Sequence, residues 1–197
     1  MILSAMFLAL ASAQASDVAV TECDRLIAHP DDPDRVAPGV EREDADLPAA
    51  IAACRAALET DPDSPRLNYQ LARALGYSGR GAEALPYRAK AVEGDYPQAL
   101  FVVGYITLFG INEQPRDPCA AAGMIHRSAQ KGRLAGLVGL PHFWLEGRFD
   151  RCELTFAPQD LPAFLAKAEE RVAGDFYNGI MVRHLRASLA ARLAFMD

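Results

Sequence analysis

The chain has 197 residues, 51% of them hydrophobic, with four cysteines and a formal net charge of −6. That length can bury a substantial core as one extended domain. An acidic charge spread along the chain, rather than clustered, argues against nucleic acid and anionic membrane surfaces as partners.

Met1 to Ala15 is apolar, closes on Ala13-Gln14-Ala15 and turns polar at Ser16 and Asp17. This is the pattern of a secretory signal peptide cleaved after Ala15, although no Lys or Arg precedes the apolar run. It predicts an exported protein, periplasmic or secreted, and no later window reaches the apolar length of a membrane span. Cys23 is not expected to carry a lipid, because Glu22 precedes it where a small residue is wanted.

Residues 16–46 are expected to form an N-terminal helix and an acidic loop. The helix runs from about Asp17 to His29 and stops in His29-Pro30-Asp31-Asp32-Pro33-Asp34, where two prolines forbid it. The acidic run lacks the glycine and distal Glu of a calcium-binding loop and reads as a solvated turn.

From Leu47 helical spacing dominates. The pattern predicts helices over 47–60, 66–78, 82–93, 97–109, 117–131 and 133–147, then 160–173 and 176–195. Gly79-Arg80-Gly81 marks one turn, and Gly94-Asp95 marks a left-handed cap. Small residues recur at a spacing of 34: Ala50 answers to Ala84 and Ala57 to Ala91, while Pro62 is echoed one place late at Pro97. Such an echo predicts stacked helical hairpins, since one hairpin cannot bury its apolar stripe alone. The repeat region is assigned to 47–150 and a capping helix pair to 151–197. In that last pair Leu161, Phe164, Leu165 and Ala168, then Ile180, Leu185, Leu189 and Leu193, keep helical spacing.

An even cysteine count in an exported chain suggests disulfides, and four cysteines allow three connectivities. Cys23 and Cys54 fall opposite each other if the helices that hold them form an antiparallel hairpin. Cys119 opens a helix, and Cys152 lies just beyond Gly147, where the following antiparallel helix stops. The expected pairs are therefore Cys23 with Cys54 and Cys119 with Cys152. Without any C-x-x-C pair, a redox or metal site is the weaker reading.

Leu71, Ala72, Leu75, Gly79, Ala84, Ala91 and the prolines at 62 and 97 resemble a tetratricopeptide repeat. Downstream, Ala91-Val92-Glu93-Gly94, Ala99, Val103-Gly104, Gly110-Ile111 and Asp117 resemble the Sel-one-like subclass, as do Ser128 to Gly132, Leu145 and Gly147. The likeness covers about residues 47–147. Cys54 takes the usual aromatic slot of the first hairpin, the Gly110 loop has one glycine where two are usual, and Pro141 lies inside a helix. The resemblance implies an all-α fold, a right-handed α-solenoid of antiparallel hairpins whose first helices line a concave groove used for proteins and peptides. Carried onto this sequence, the groove-facing positions are Arg66, Tyr69, Arg73 and Tyr77, then Phe101 and Tyr105, then His142. Their spacing puts the first four on one helix face. Arginine with tyrosine suits a binding surface, and two arginines suit an acidic side chain or a peptide C-terminal carboxylate.

Catalytic patterns are weak. The histidines at 29, 126, 142 and 184 never pair at metal-ligand spacing. Gly76-Tyr77-Ser78-Gly79-Arg80 misses the last glycine of a nucleophile elbow. Gly79-Arg80-Gly81-Ala82-Glu83-Ala84 follows a helix and not the strand a dinucleotide site needs. Phe143-Trp144 reads as packing between repeats rather than a ligand anchor. The expected function is an exported, non-catalytic adaptor without cofactor or metal, binding a protein or peptide in its groove. The alternatives are a hydrolase of envelope polymers that uses the stack as a cleft, and a purely structural exported domain.

Overall fold

A computed structural model describes residues 18–111 and 114–196, so the expected signal peptide lies outside the described residues. Nine α-helices and one short 3-10 turn at Pro158–Asp160 make up the regular structure, with no strand among the described residues. The first helix, α1 (Glu22–Ile27), is much shorter than its expected span from Asp17 to His29. Thr21 and Asp24 form a capping box that fixes the start at Glu22, and extended Ala28 ends the helix two residues before Pro30.

The remaining helices follow closely the spans read from the pattern: α2 (Leu47–Thr60), α3 (Pro65–Tyr77), α4 (Gly81–Glu93), α5 (Pro97–Phe109), α6 (Pro118–Gln130), α7 (Leu134–Leu145), α8 (Leu161–Arg171) and α9 (Phe176–Leu193). Their starts are set locally. Asp46, Asp117 and Asp175 accept hydrogen bonds from the first-turn amides of α2, α6 and α9, and proline occupies the first turn of α2, α3, α5, α6 and α8.

Neighbouring helices pair as α1–α2, α3–α4, α5–α6 and α7–α8, and α9 packs on α7 and α8. The seam alanines behave as their 34-residue spacing predicts: Ala50, Ala84 and Ala91 are fully buried, and Ala57 is partly buried against the same core. Gly104 shows why small residues are needed. A Cβ there would lie 2.8 Å from Ile125 Cγ1, so any side chain would push α5 and α6 apart.

The core has two main parts. One holds Cys23, Ile27, Leu67, Leu71 and Leu75 in the first two hairpins; the other runs from Leu108 through Ile125, Leu140 and Leu165 to Leu189. The first contains a cystine and the second is bordered by one. Cys23–Cys54 joins α1 to α2 with Cα atoms 4.5 Å apart, and Cys119–Cys152 ties the start of α6 to the segment after α7 at 5.1 Å, the two expected pairings. Phe143 of the Phe143-Trp144 pair is buried in the second part, with Trp144 half-buried against it.

α8 and α9 pack on α7 and on each other at the end of the stack, but the inner side of α9 differs in one place from its spacing. Val182 and Leu189 point inward with Gly179, whereas Ile180, placed on the apolar side by its spacing, is exposed.

Candidate functional site

The seven groove positions divide into two groups. In α3, Arg66 is 8% exposed, Tyr69 4% and Arg73 6%, because α1 and the loop after it lie over this face. The Arg66 guanidinium pairs with the Asp24 carboxylate, which also accepts from Gln70 Nε2 at 2.9 Å and from the Thr21 amide at 2.8 Å and hydroxyl at 2.7 Å. Every lone pair that a buried carboxylate needs to satisfy therefore has a donor. Arg73 donates to the carbonyls of Ile27 at 2.7 Å, Ala28 at 3.1 Å and Val40 at 2.9 Å, stitching both ends of the loop to α3. Tyr77, half-buried, has the guanidinium groups of Arg42 and Arg73 over its ring at 4.8 and 5.0 Å.

The loop is therefore no simple solvated turn. Asp32 is buried and accepts from the Tyr96 hydroxyl at 2.5 Å and the Asp34 amide at 3.0 Å. Burial pushes its carboxyl above the ordinary Asp value even against those hydrogen bonds. Gly39 makes the crossing possible, since a Cβ there would fall 2.3 Å from Pro30 Cα. Burial also holds His29 down to about 4, helped by Arg73 and Arg133 and opposed by Asp31.

The other group is more open. Tyr105 is 40% exposed, with ring centroids 6.2 Å from Phe101, 4.8 Å from Phe109 and 6.1 Å from Phe143; exposed His142 lies 5.3 Å from Phe143. Phe101, Tyr105 and His142 thus share one aromatic face across α5 and α7. Arg133 over Phe101 and Arg148 over Phe109 border it.

Between the two groups lies a cavity of about 240 Å³ lined by His29, Tyr69, Arg73, Tyr77 and Arg88 and by the aliphatic Val102, Val103 and Ile106. Arg73 Nε has no hydrogen-bond partner. Burial lowers the pKa of Arg88, and no carboxylate lines the space. The cavity can therefore accept an anionic group with an apolar body. Arg88 lies on α4, outside the first helices, and groove-position reasoning does not reach it; its one signal in the sequence is that Ala84, Leu85, Ala91 and Val92, the residues three and four places away, offer it no acid. Among the described residues no group of three His, Cys, Asp or Glu side chains is arranged to hold a metal ion, and no helix is long and apolar enough to cross a membrane.

No protein-family model and no curated protein matches the sequence. Among solved structures, a Sel1 repeat protein from Oxalobacter formigenes is similar over 72% of this chain, at 20% identity and a TM-score of 0.54. The chain spans 40% of that protein's length. The stacked hairpins therefore have the fold of a Sel1-like helical repeat.

Proposed function

We propose that the protein is an exported, non-catalytic helical-repeat adaptor that binds a protein or peptide on the open part of its groove face. Its Sel1-like fold supports the scaffold reading. Two cystines and the apolar Met1 to Ala15 segment support export. Two observations carry the binding reading: the aromatic face at Phe101, Tyr105 and His142, and a cavity between α3 and α5 with two arginines and no carboxylate. A peptide whose apolar side chains lie on the aromatic rings, with its terminal or side-chain carboxylate at Arg88 and the unpaired Nε of Arg73, matches that chemistry. The same lining sets no serine, cysteine or carboxylate beside His29, so it offers no nucleophile for that imidazole to activate, which disfavours a hydrolase at this place.

The test is recovery of partners from an envelope extract by the wild type, Arg88→Ala and Tyr105→Ala, with captured peptides then compared as free acids and C-terminal amides. Loss of a hydrogen bond to a charged group weakens binding by about 1.5–3 kcal/mol, roughly tenfold to a hundredfold. Equal recovery by all three proteins overturns groove binding, and equal affinity for acid and amide overturns the carboxylate assignment.

A further inference from the structure

The two cystines span nearly equal lengths of chain, 31 and 33 residues, but sit in opposite surroundings. Cys23 and Cys54 are fully buried in the first part of the core. Cys119 is exposed in the first turn of α6, and Cys152 is half-buried in the segment between α7 and α8. Thiol–disulfide exchange needs a thiolate to reach one of the two sulfurs, so only the second cystine is open to it in the folded chain.

A depression of about 670 Å³ lies over this cystine, lined by Arg116, Arg148 and Arg151 together with Glu146 and Asp150. Glu146 is engaged by Arg148 at 2.9 Å and by His142 at 3.4 Å. Arg116 is held by a hydrogen bond to the Leu108 carbonyl at 3.2 Å, and Arg151 is exposed and makes no ion pair among the described residues. Cations here draw in an attacking thiolate and stabilise the thiolate that leaves. The main chain beside Cys152 is open as well. Residues 151–157 belong to no helix, their exposed members alternate with Cys152, Leu154 and Phe156, and the amides of Glu153, Leu154, Thr155 and Phe156 make no backbone hydrogen bond among the described residues. A partner that docks by pairing its own backbone needs such unpaired amides. Phe149 and Phe156, buried on either side of Cys152, keep the segment packed when the S–S tie is cut.

We infer that Cys119–Cys152 is an exchange-active cystine whose partner is a dithiol protein of the thioredoxin kind, docked along residues 151–157. One thiolate of the partner attacks the Sγ of exposed Cys119, the S–S bond breaks, and its electron pair leaves on Cys152 Sγ within the arginine-lined depression. The partner's second thiol gives its proton to solvent, attacks the mixed disulfide and displaces Cys119 as a thiolate. The partner ends oxidised by two electrons, while the two cysteines of this chain end reduced and take up two protons. In reverse, an oxidised partner restores the cystine. Reduction unties the start of α6 from the segment that carries Arg148, which lies over Phe109, so the exchange reaches the border of the aromatic face. Cys23–Cys54 stays closed throughout because both of its cysteines are buried.

Reduction of the full, folded chain by dithiothreitol and by reduced thioredoxin, quenched with an alkylating agent and mapped on peptides by mass spectrometry, tests this. The expected result is alkylation of Cys119 and Cys152 with Cys23–Cys54 intact. An Arg151→Glu variant should react roughly tenfold more slowly with either reagent, since the approaching thiolate then meets like charge. A Glu153→Pro variant, which lacks one of the open amides, should react more slowly with thioredoxin and at the wild-type rate with dithiothreitol. Thioredoxin with its resolving cysteine replaced by serine should be trapped as a mixed disulfide at Cys119. Equal rates at the two cystines of the wild type overturn the inference, as does reduction no faster than global unfolding. A Glu153→Pro protein that keeps the wild-type ratio of the two rates overturns the docking edge.

Discussion

The α3 half and the α5–α7 half of the groove face occupy equivalent positions in successive repeats, yet one is closed and the other open. Over α3 the chain's own α1 and acidic loop supply what a bound peptide would: the Asp24 carboxylate for Arg66, and the Ile27, Ala28 and Val40 carbonyls for Arg73. Over α5 and α7 nothing similar lies on Tyr105 or His142, both exposed. Position in the repeat decides which way a side chain points. Whether that face is free depends on chain outside the repeat, here residues 18–46.

The comparison breaks most sharply at Arg66. Removing one partner of a buried ion pair leaves the other charge stranded, so Arg66→Ala should lower unfolding stability by about 3–5 kcal/mol. Tyr105→Ala should cost no more than about 1–2 kcal/mol, the scale of its aromatic contacts. Urea unfolding of both variants ranks them. Comparable losses would mean that the α3 arginine is a surface residue after all, and an Arg66→Leu, Asp24→Leu double variant should recover much of the deficit because neither charge remains.

Next in size is the loss of a cystine. Cys23–Cys54 and Cys119–Cys152 span 31 and 33 residues, so the chain-entropy relation assigns each nearly the same stabilisation, roughly 3.5–4 kcal/mol. Double serine variants should therefore melt alike but differ in place. Without Cys23–Cys54, the amides of residues 18–46 should exchange faster and the α3 face should open, while the aromatic half keeps its protection. Without Cys119–Cys152 the reverse holds. Identical exchange maps would show that the cystine does not hold the loop over α3.

Much of this architecture was legible because it depends on short-range rules. Ala50, Ala84 and Ala91 are fully buried where their spacing places them, and hairpin antiparallelism alone pairs the four cysteines. The closure of the α3 half was not legible. Asp24 meets Arg66 across 42 residues of sequence, whereas Arg66 reads as an open groove position, since periodicity reports apolar faces and is silent on which charges are buried in pairs. Thr21-x-x-Asp24 did carry a signal, a capping box that starts α1 at Glu22. The left-handed cap expected at Gly94-Asp95 is taken by Asp95, at φ 57°, and Gly94 is small because a Cβ would meet Pro65 Cγ at 2.5 Å. Ile180 kept helical spacing with Leu189 yet lies on the outer side, because a helix with two apolar sides gives periodicity no single direction to report.

The smallest expected effect joins the two halves through His29, which lines the cavity between them. Its ordinary value of 6.5 falls to about 4 in the folded protein, by burial first and then by Arg73 of α3 and Arg133 beside α7, against Asp31. Between those two values the unfolded chain holds a proton that the folded chain does not, so this residue's contribution is complete above 6.5 and is lost as pH falls toward 4. Asp32 acts with the opposite sign just above its ordinary 3.8, because its raised value makes the folded state the better proton binder there. Melting temperature should drop by a few degrees from pH 6.5 to about 5 in the wild type, and His29→Gln should flatten that slope. An unchanged slope in the variant would mean that His29 reaches solvent freely and that the loop does not seal the junction of the two halves.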